Sequence, residues 1–135
     1  MIPAVGICHA GQIVVILNKN NNVAHLSIDD LQSIFEGRKK SWDGGETVVL
    51  ILPPPKSEAM NTLAAKVFKK SDPADVARFY LKAIFQQVFV YPPKSAGTTE
   101  KAVAEVSQNE GAIAVVDAGE IDDKKSVRII KVNGL

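Results

Sequence analysis

The chain has 135 residues, 46% of them hydrophobic and 23% charged, with a formal net charge of +1. That length supports one hydrophobic core but not two, and the near-neutral balance, with basic residues only in the short clusters Arg38-Lys39-Lys40, Lys69-Lys70 and Lys124-Lys125, excludes a surface that tracks nucleic acid. One cysteine, Cys8, and two distant histidines, His9 and His25, exclude an internal disulfide and a metal cluster.

At the N-terminus, Ile2 to Ala10 is mildly apolar, and Cys8-His9-Ala10 places small residues where a signal peptidase reads. Residues 1–11 are therefore read either as a signal-peptide remnant or as a flexible N-terminus. No later stretch approaches the ~20 apolar residues of a membrane span, so a protein that does not span the membrane is expected. Gln12 to Leu17 is a continuous apolar run rich in β-branched residues, the pattern of a strand covered on both faces. The polar loop Asn18-Lys19-Asn20-Asn21-Asn22 follows. Asn18 stands at the carboxyl end of a strand, where open α/β sheets bind ligands, and is a candidate binding residue; a plain turn is the competing reading.

From Leu26 to Gly45 the chain reads as helix, basic elbow, tryptophan and turn. Ser27 is an N-cap, Asp30 stands where a capping-box acid reaches back, and Ile28, Leu31, Ile34 and Phe35 share one helical face. Gly37 can adopt the left-handed conformation that ends the helix. Trp42 is predicted to pack on this helix through Phe35 or Leu31. Thr47 to Leu52 is a second buried strand, ended by Pro53-Pro54-Pro55. Because both apolar runs lack alternation, they are predicted to be neighbours with helices on both sheet faces.

Ser57 opens a helix from Glu58 to about Lys70, and a third helix runs from Pro73 to about Gln87, burying Val76, Phe79, Tyr80, Ala83 and Ile84. Val88-Phe89-Val90-Tyr91 reads as a short strand or core-packed loop, or as an exposed contact patch. A fourth helix spans about Thr99 to Glu110, capped by Thr98 or Thr99, and Gly111 stops it. Ala112 to Val116 and Val127 to Val132 complete the strands around a polar connection. No internal boundary interrupts residues 12–135, which are read as a single domain.

The order L-S-x-D-x-L-x-x-I-F-x-G-x-x-x-x-W-x-x-G, followed by Ile84-Phe85, Pro92-Pro93 and Gly111-Ala112-Ile113, resembles the phosphate-binding-protein-like family, the substrate-binding components of phosphate ABC transporters, and most closely its small single-lobe members. The resemblance implies an α/β fold: one lobe of a periplasmic-binding-protein-like fold, with a mixed, mostly parallel sheet and helices on both faces. It also implies an exported, periplasmic protein that binds phosphate or a similar small oxyanion and associates with a second lobe, a dimer mate or a transporter partner.

The turn Lys56-Ser57-Glu58-Ala59 carries the candidate chemistry. A helix start with free N–H groups, a hydroxyl and a lysine can hold an oxyanion; Ser57 as a simple N-cap is the competing reading. The family has an arginine shortly before a serine-glycine-threonine here. Only Ser57 matches: Pro53 replaces the arginine, Glu58 the glycine and Ala59 the threonine. Loss of the guanidinium removes a bidentate contact, and Glu58 repels an anion. No nucleophile elbow, Walker loop or dinucleotide fingerprint is present, so neither an enzyme nor a cofactor is expected. Two functions follow: an oxyanion-binding module, or an exported protein-interaction module that keeps the fold without the ligand.

Overall fold

The computed structural model of the chain describes residues 12–89 and 91–135. The signal-remnant reading of residues 1–11 and the position of Val90 lie outside the described residues. Among the described residues five strands form one sheet: β1 (Ile13–Asn18), β2 (Val49–Leu52), β3 (Lys94–Ser95), β4 (Ala112–Asp117) and β5 (Val127–Ile130), in the order β3-β2-β4-β1-β5. β2 lies parallel to both β3 and β4, whereas β1 runs antiparallel to both β4 and β5. The sheet is therefore mixed: four strands point one way and β1 points against them.

Every residue of β1 is buried, as the unbroken apolar run requires. The expected adjacency of β1 and β2 does not hold, because β4 lies between them, with Val15 opposite Val115 and Leu50 opposite Ile113. Continuous burial reports two covered faces but carries no information on which strand lies alongside. The pleat then divides the core. Val15, Leu17, Leu50, Ile113 and Val115 face one side, and Val14, Ile16, Ile51, Ala114 and Val116 face the other.

Three helices cover the first face. α1 (Ile28–Phe35) starts on a closed capping box: Asp30 N donates to Ser27 Oγ at 3.1 Å, and Ser27 N donates to Asp30 Oδ2 at 2.9 Å. Leu31, Ile34 and Phe35 are buried in the same cluster as Trp42. Gly37 stops the helix at φ +85°, and its missing Cβ makes room for Phe89, whose ring would otherwise lie 2.8 Å away. α2 (Glu58–Thr62) continues into a wider π turn over Leu63–Val67 rather than running as one α-helix to Lys70. α3 (Ala74–Phe85) buries Val76, Tyr80 and Ala83, and the Tyr80 hydroxyl donates to Phe35 O at 2.6 Å. Ile84, expected inside, is instead exposed at the margin of that face.

The second face is covered by α4 (Thr99–Gln108), capped by Thr98 and packed through Ala102, Val103 and Val106. It ends two residues before Glu110. Gly111 is required for another reason: a Cβ there would fall 1.9 Å from Thr47 O, so only glycine lets the chain leading to β2 approach the start of β4. β3 has no counterpart among the expected strands, because Lys94 and Ser95 are both exposed and give no apolar signal.

The elbow between α1 and β2 is fixed from within. Trp42 is 4% exposed, and its Nε1 donates to Gly111 O at 2.9 Å, the same oxygen that accepts from Val49 N. Val88 and Phe89 are half-buried, and Phe89 packs on Tyr80 with ring centroids 5.6 Å apart, so this part of the aromatic segment lies on the core. Tyr91 is exposed.

Candidate functional site

β2 delivers the chain to the sheet edge at Leu52, and the prolines that follow cannot extend a ladder, so the backbone turns there into α2. Ser57 caps that helix from an extended backbone conformation (φ −84°, ψ 159°). Its hydroxyl accepts from Met60 N at 3.1 Å and donates to Pro54 O at 2.7 Å. Ser57 N donates to the same carbonyl at 3.0 Å, and Ser57 O accepts from Asn61 N at 3.1 Å. Helix geometry leaves the N–H groups of Glu58 and Ala59 without an intrahelical acceptor. Ala59 is buried, whereas Lys56 and Glu58 are exposed, and among the described residues neither forms an ion pair.

The turn thus offers two backbone N–H groups, the positive end of a helix and one ammonium. Against them stand one carboxylate and a hydroxyl that is already hydrogen-bonded as both donor and acceptor. Such a site can hold a small anion only weakly while it stays open to water.

The topology does not bring Asn18 to this turn. Because β1 runs against β2 and β4, Asn18 lies at the sheet edge where β2 and β4 begin, and Ser57 at the edge where they end. Asn18 is 4% exposed, and all its polar groups serve the fold: Nδ2 donates to Val106 O at 2.9 Å and Ser107 O at 3.2 Å, closing the last turn of α4, while Oδ1 accepts from Asn20 N.

At the Asn18 edge lies a feature absent from the sequence reading, a polar cleft of about 700 Å³ between the loop following β1 and the Trp42 elbow. Asn21, Asp30, Lys39, Asp43 and Glu46 line it. Lys39 pairs with Asp43 at 3.5 Å, and Arg128 clamps the loop by donating to the carbonyls of Asn21 and Val23. Asn21 Oδ1 accepts from Val23 N at 3.0 Å, while Nδ2 is buried without a partner among the described residues. The run of asparagines read as a polar turn with Asn18 alone as a binding candidate, and it did not announce this cleft.

Asp30 is held below the ordinary carboxylate range, chiefly by the hydrogen bond from the Ser27 backbone, with a smaller desolvation opposing the shift. Tyr80 is pushed well above the usual phenol value by burial. Neither belongs to the Ser57 turn. Among the described residues no group of three His, Cys, Asp or Glu side chains is placed to hold a metal, and no helix is long and apolar enough to cross a membrane.

The family described as PBP superfamily domain matches residues 8–133. Among solved structures, the chain is similar to a protein from Clostridium perfringens described as a phosphate ABC transporter substrate-binding protein with bound phosphate, at 22% identity and a TM-score of 0.66, covering 92% of this chain and 46% of that one. It is similar to an ABC-type phosphate transport receptor from Vibrio cholerae, at 14% identity and a TM-score of 0.60, covering 92% and 47%. A third is PstS from Borrelia burgdorferi, at 15% identity and a TM-score of 0.64, covering 90% and 47%. The chain therefore spans about half the length of these structures, and at these identities the likeness is one of fold. No curated protein matches the chain.

Proposed function

This chain belongs to the PBP superfamily domain family, and from that premise we propose that it is a non-catalytic binding module of the substrate-binding kind, whose ligand is phosphate or a similar small oxyanion. The observation that carries the reading is the turn Lys56–Ala59, where a serine-capped helix start, two N–H groups without an intrahelical acceptor and a lysine follow the carboxyl end of β2. Fold relatives named for phosphate transport support the ligand class. A bare lobe leaves the anion wet and weakly held, so the reading calls for a facing surface: a second lobe, a dimer mate or a transporter component. With it go export and a periplasmic location in association with ABC-type transport.

A second reading, an exported interaction module without a ligand, is favoured by the Ser57 hydroxyl, which an anion must first draw away from Pro54 O. Calorimetric titration with phosphate, sulfate and molybdate separates the two. On the oxyanion reading Glu58→Gly strengthens phosphate binding by removing a charge beside the site, and Ser57→Ala weakens it by roughly 1.5 to 3 kcal/mol. Absence of heat from both the wild type and Glu58→Gly overturns the oxyanion reading and leaves the interaction module.

A further inference from the structure

α3 is apolar on two sides. Its inner side packs Val76, Tyr80 and Ala83 on the core, but its outer side carries Leu81, Ile84 and Phe85, which are 59%, 42% and 80% exposed. These three stand at i, i+3 and i+4, and exposed Ala77 and Ala74 extend the same stripe by another turn. Scattered apolar residues on a surface need no explanation, whereas a contiguous stripe does. Of the five large hydrophobic side chains exposed among the described residues, three lie on this stripe. Val88 and Phe89 turn back to the core, so the chain that follows α3 does not cover it.

The stripe is a ridge of exposed side chains along one face of a helix of 12 residues. The shape that packs along such a ridge is another helix, interdigitating at helical spacing. The rim decides which helix fits. Arg78 and Lys82 flank the stripe on one side, and Asp75, the single acid of α3, is already paired with Arg78 within the helix. Lys82 has no ion-pair partner among the described residues. A second copy of this chain fits poorly: a two-fold antiparallel pairing sets identical rims side by side, and Lys82 would face Lys82.

We propose that the outer face of α3 docks an amphipathic helix of a partner protein whose apolar stripe is flanked by carboxylates. The inference gives the second reading above its surface and its partner chemistry, and it stands whether or not the Ser57 turn holds an anion.

The test uses the full chain and two synthetic peptides of about 18 residues, about five helical turns, which share one leucine stripe but carry either glutamates or lysines on the flanks. Fluorescence anisotropy should show the acidic peptide binding, more weakly as salt rises, and its affinity should fall about tenfold or more in Leu81→Ser and Phe85→Ser. Lys82→Glu should shift the preference toward the basic peptide. All three positions are exposed, so the variants keep the fold. The proposal is overturned if neither peptide binds, if Lys82→Glu leaves the preference unchanged, or if the protein alone dimerises through this face in a manner abolished by Phe85→Ser. Phosphate titration of the same samples reports on the Ser57 turn separately, so either idea can fail alone.

Discussion

α1 and α2 both begin on a serine at the rim of the same sheet, yet the two starts are built differently. At α1 the Ser27 hydroxyl accepts from Asp30 N and the Asp30 carboxylate accepts from Ser27 N, so the first turn carries its own negative charge and a closed ring of hydrogen bonds. At α2 the Ser57 hydroxyl accepts from Met60 N, but Met60 has no group to reach back, and Ser57 N turns instead to Pro54 O. One start is complete in itself and belongs to a helix packed in the cluster that holds a buried tryptophan; the other leaves the N–H groups of Glu58 and Ala59 without an intrahelical acceptor, just after the exposed Lys56 in the chain. A serine cap alone therefore does not identify a ligand site. What distinguishes the two is whether a first-turn carboxylate folds back onto the cap, as Asp30 does and the exposed Glu58 does not.

The largest expected effect tests the anchored side of this contrast. Trp42→Ala removes a nearly fully buried indole together with its hydrogen bond to Gly111 O, and should cost about 3 to 5 kcal/mol. A thermal melt should fall by roughly 10 °C or more for a domain of this size. A loss under about 1 kcal/mol, far short of core truncation, would place the ring's role at the surface and erase the contrast. Next in size is Gly111→Ala. Its methyl group would land 1.9 Å from Thr47 O, so β2 and β4 must separate or the elbow must shift, at a cost in the overpacking range of about 1 to 3 kcal/mol. Denaturant titration should show the lower midpoint, with phosphate affinity unchanged when corrected for the folded fraction.

The anchored side was also the legible side. Ser27, Asp30, Leu31, Phe35 and Gly37 announce a helix from cap to stop through local rules, and the structure carries each of them out. The buried runs at Ile13 and Leu50 are equally plain. Their order in the sheet was not, because adjacency depends on contacts distant in sequence, and β4 enters between them with a pattern no different from theirs. β3 was missed because two exposed polar residues pair through backbone alone. For function the limit is sharper. Asn18 and Ser57 both follow strands, but strand direction, which sequence does not report, sends them to opposite edges. The cleft beside Asn21 is assembled from the two loops on either side of α1 and has no local signature.

Smaller effects probe the open side. Ser57→Ala should lower stability by about 1 kcal/mol, the usual cost of a lost N-cap, since Met60 N then has no acceptor. The same variant sharpens the comparison when melted with and without phosphate. If the turn binds an anion, phosphate raises the melting temperature of the wild type and raises that of Ser57→Ala less. Equal shifts in both would place any bound phosphate elsewhere.

The smallest effect belongs to Asp30→Asn. Asparagine can still accept from Ser27 N through its oxygen, so the capping geometry survives and only the charge at the helix start is lost. Asp30 is exposed, so solvent screening keeps the cost at neutral pH below about 1 kcal/mol. The pH dependence isolates the contribution of that charge. The hydrogen bond from the Ser27 backbone holds the folded carboxyl below its ordinary range. The stabilisation is therefore fully present above the unfolded value of about 3.9 and is lost as pH falls through the lower folded value. Denaturant midpoints for wild type and Asp30→Asn should differ at pH 7 and pH 5 and converge on acidification below the lowered folded value. A gap that persists unchanged in that acid range would mean the box acts through shape alone, and the distinction between a cap closed by its carboxylate and one left open would lose its electrostatic basis.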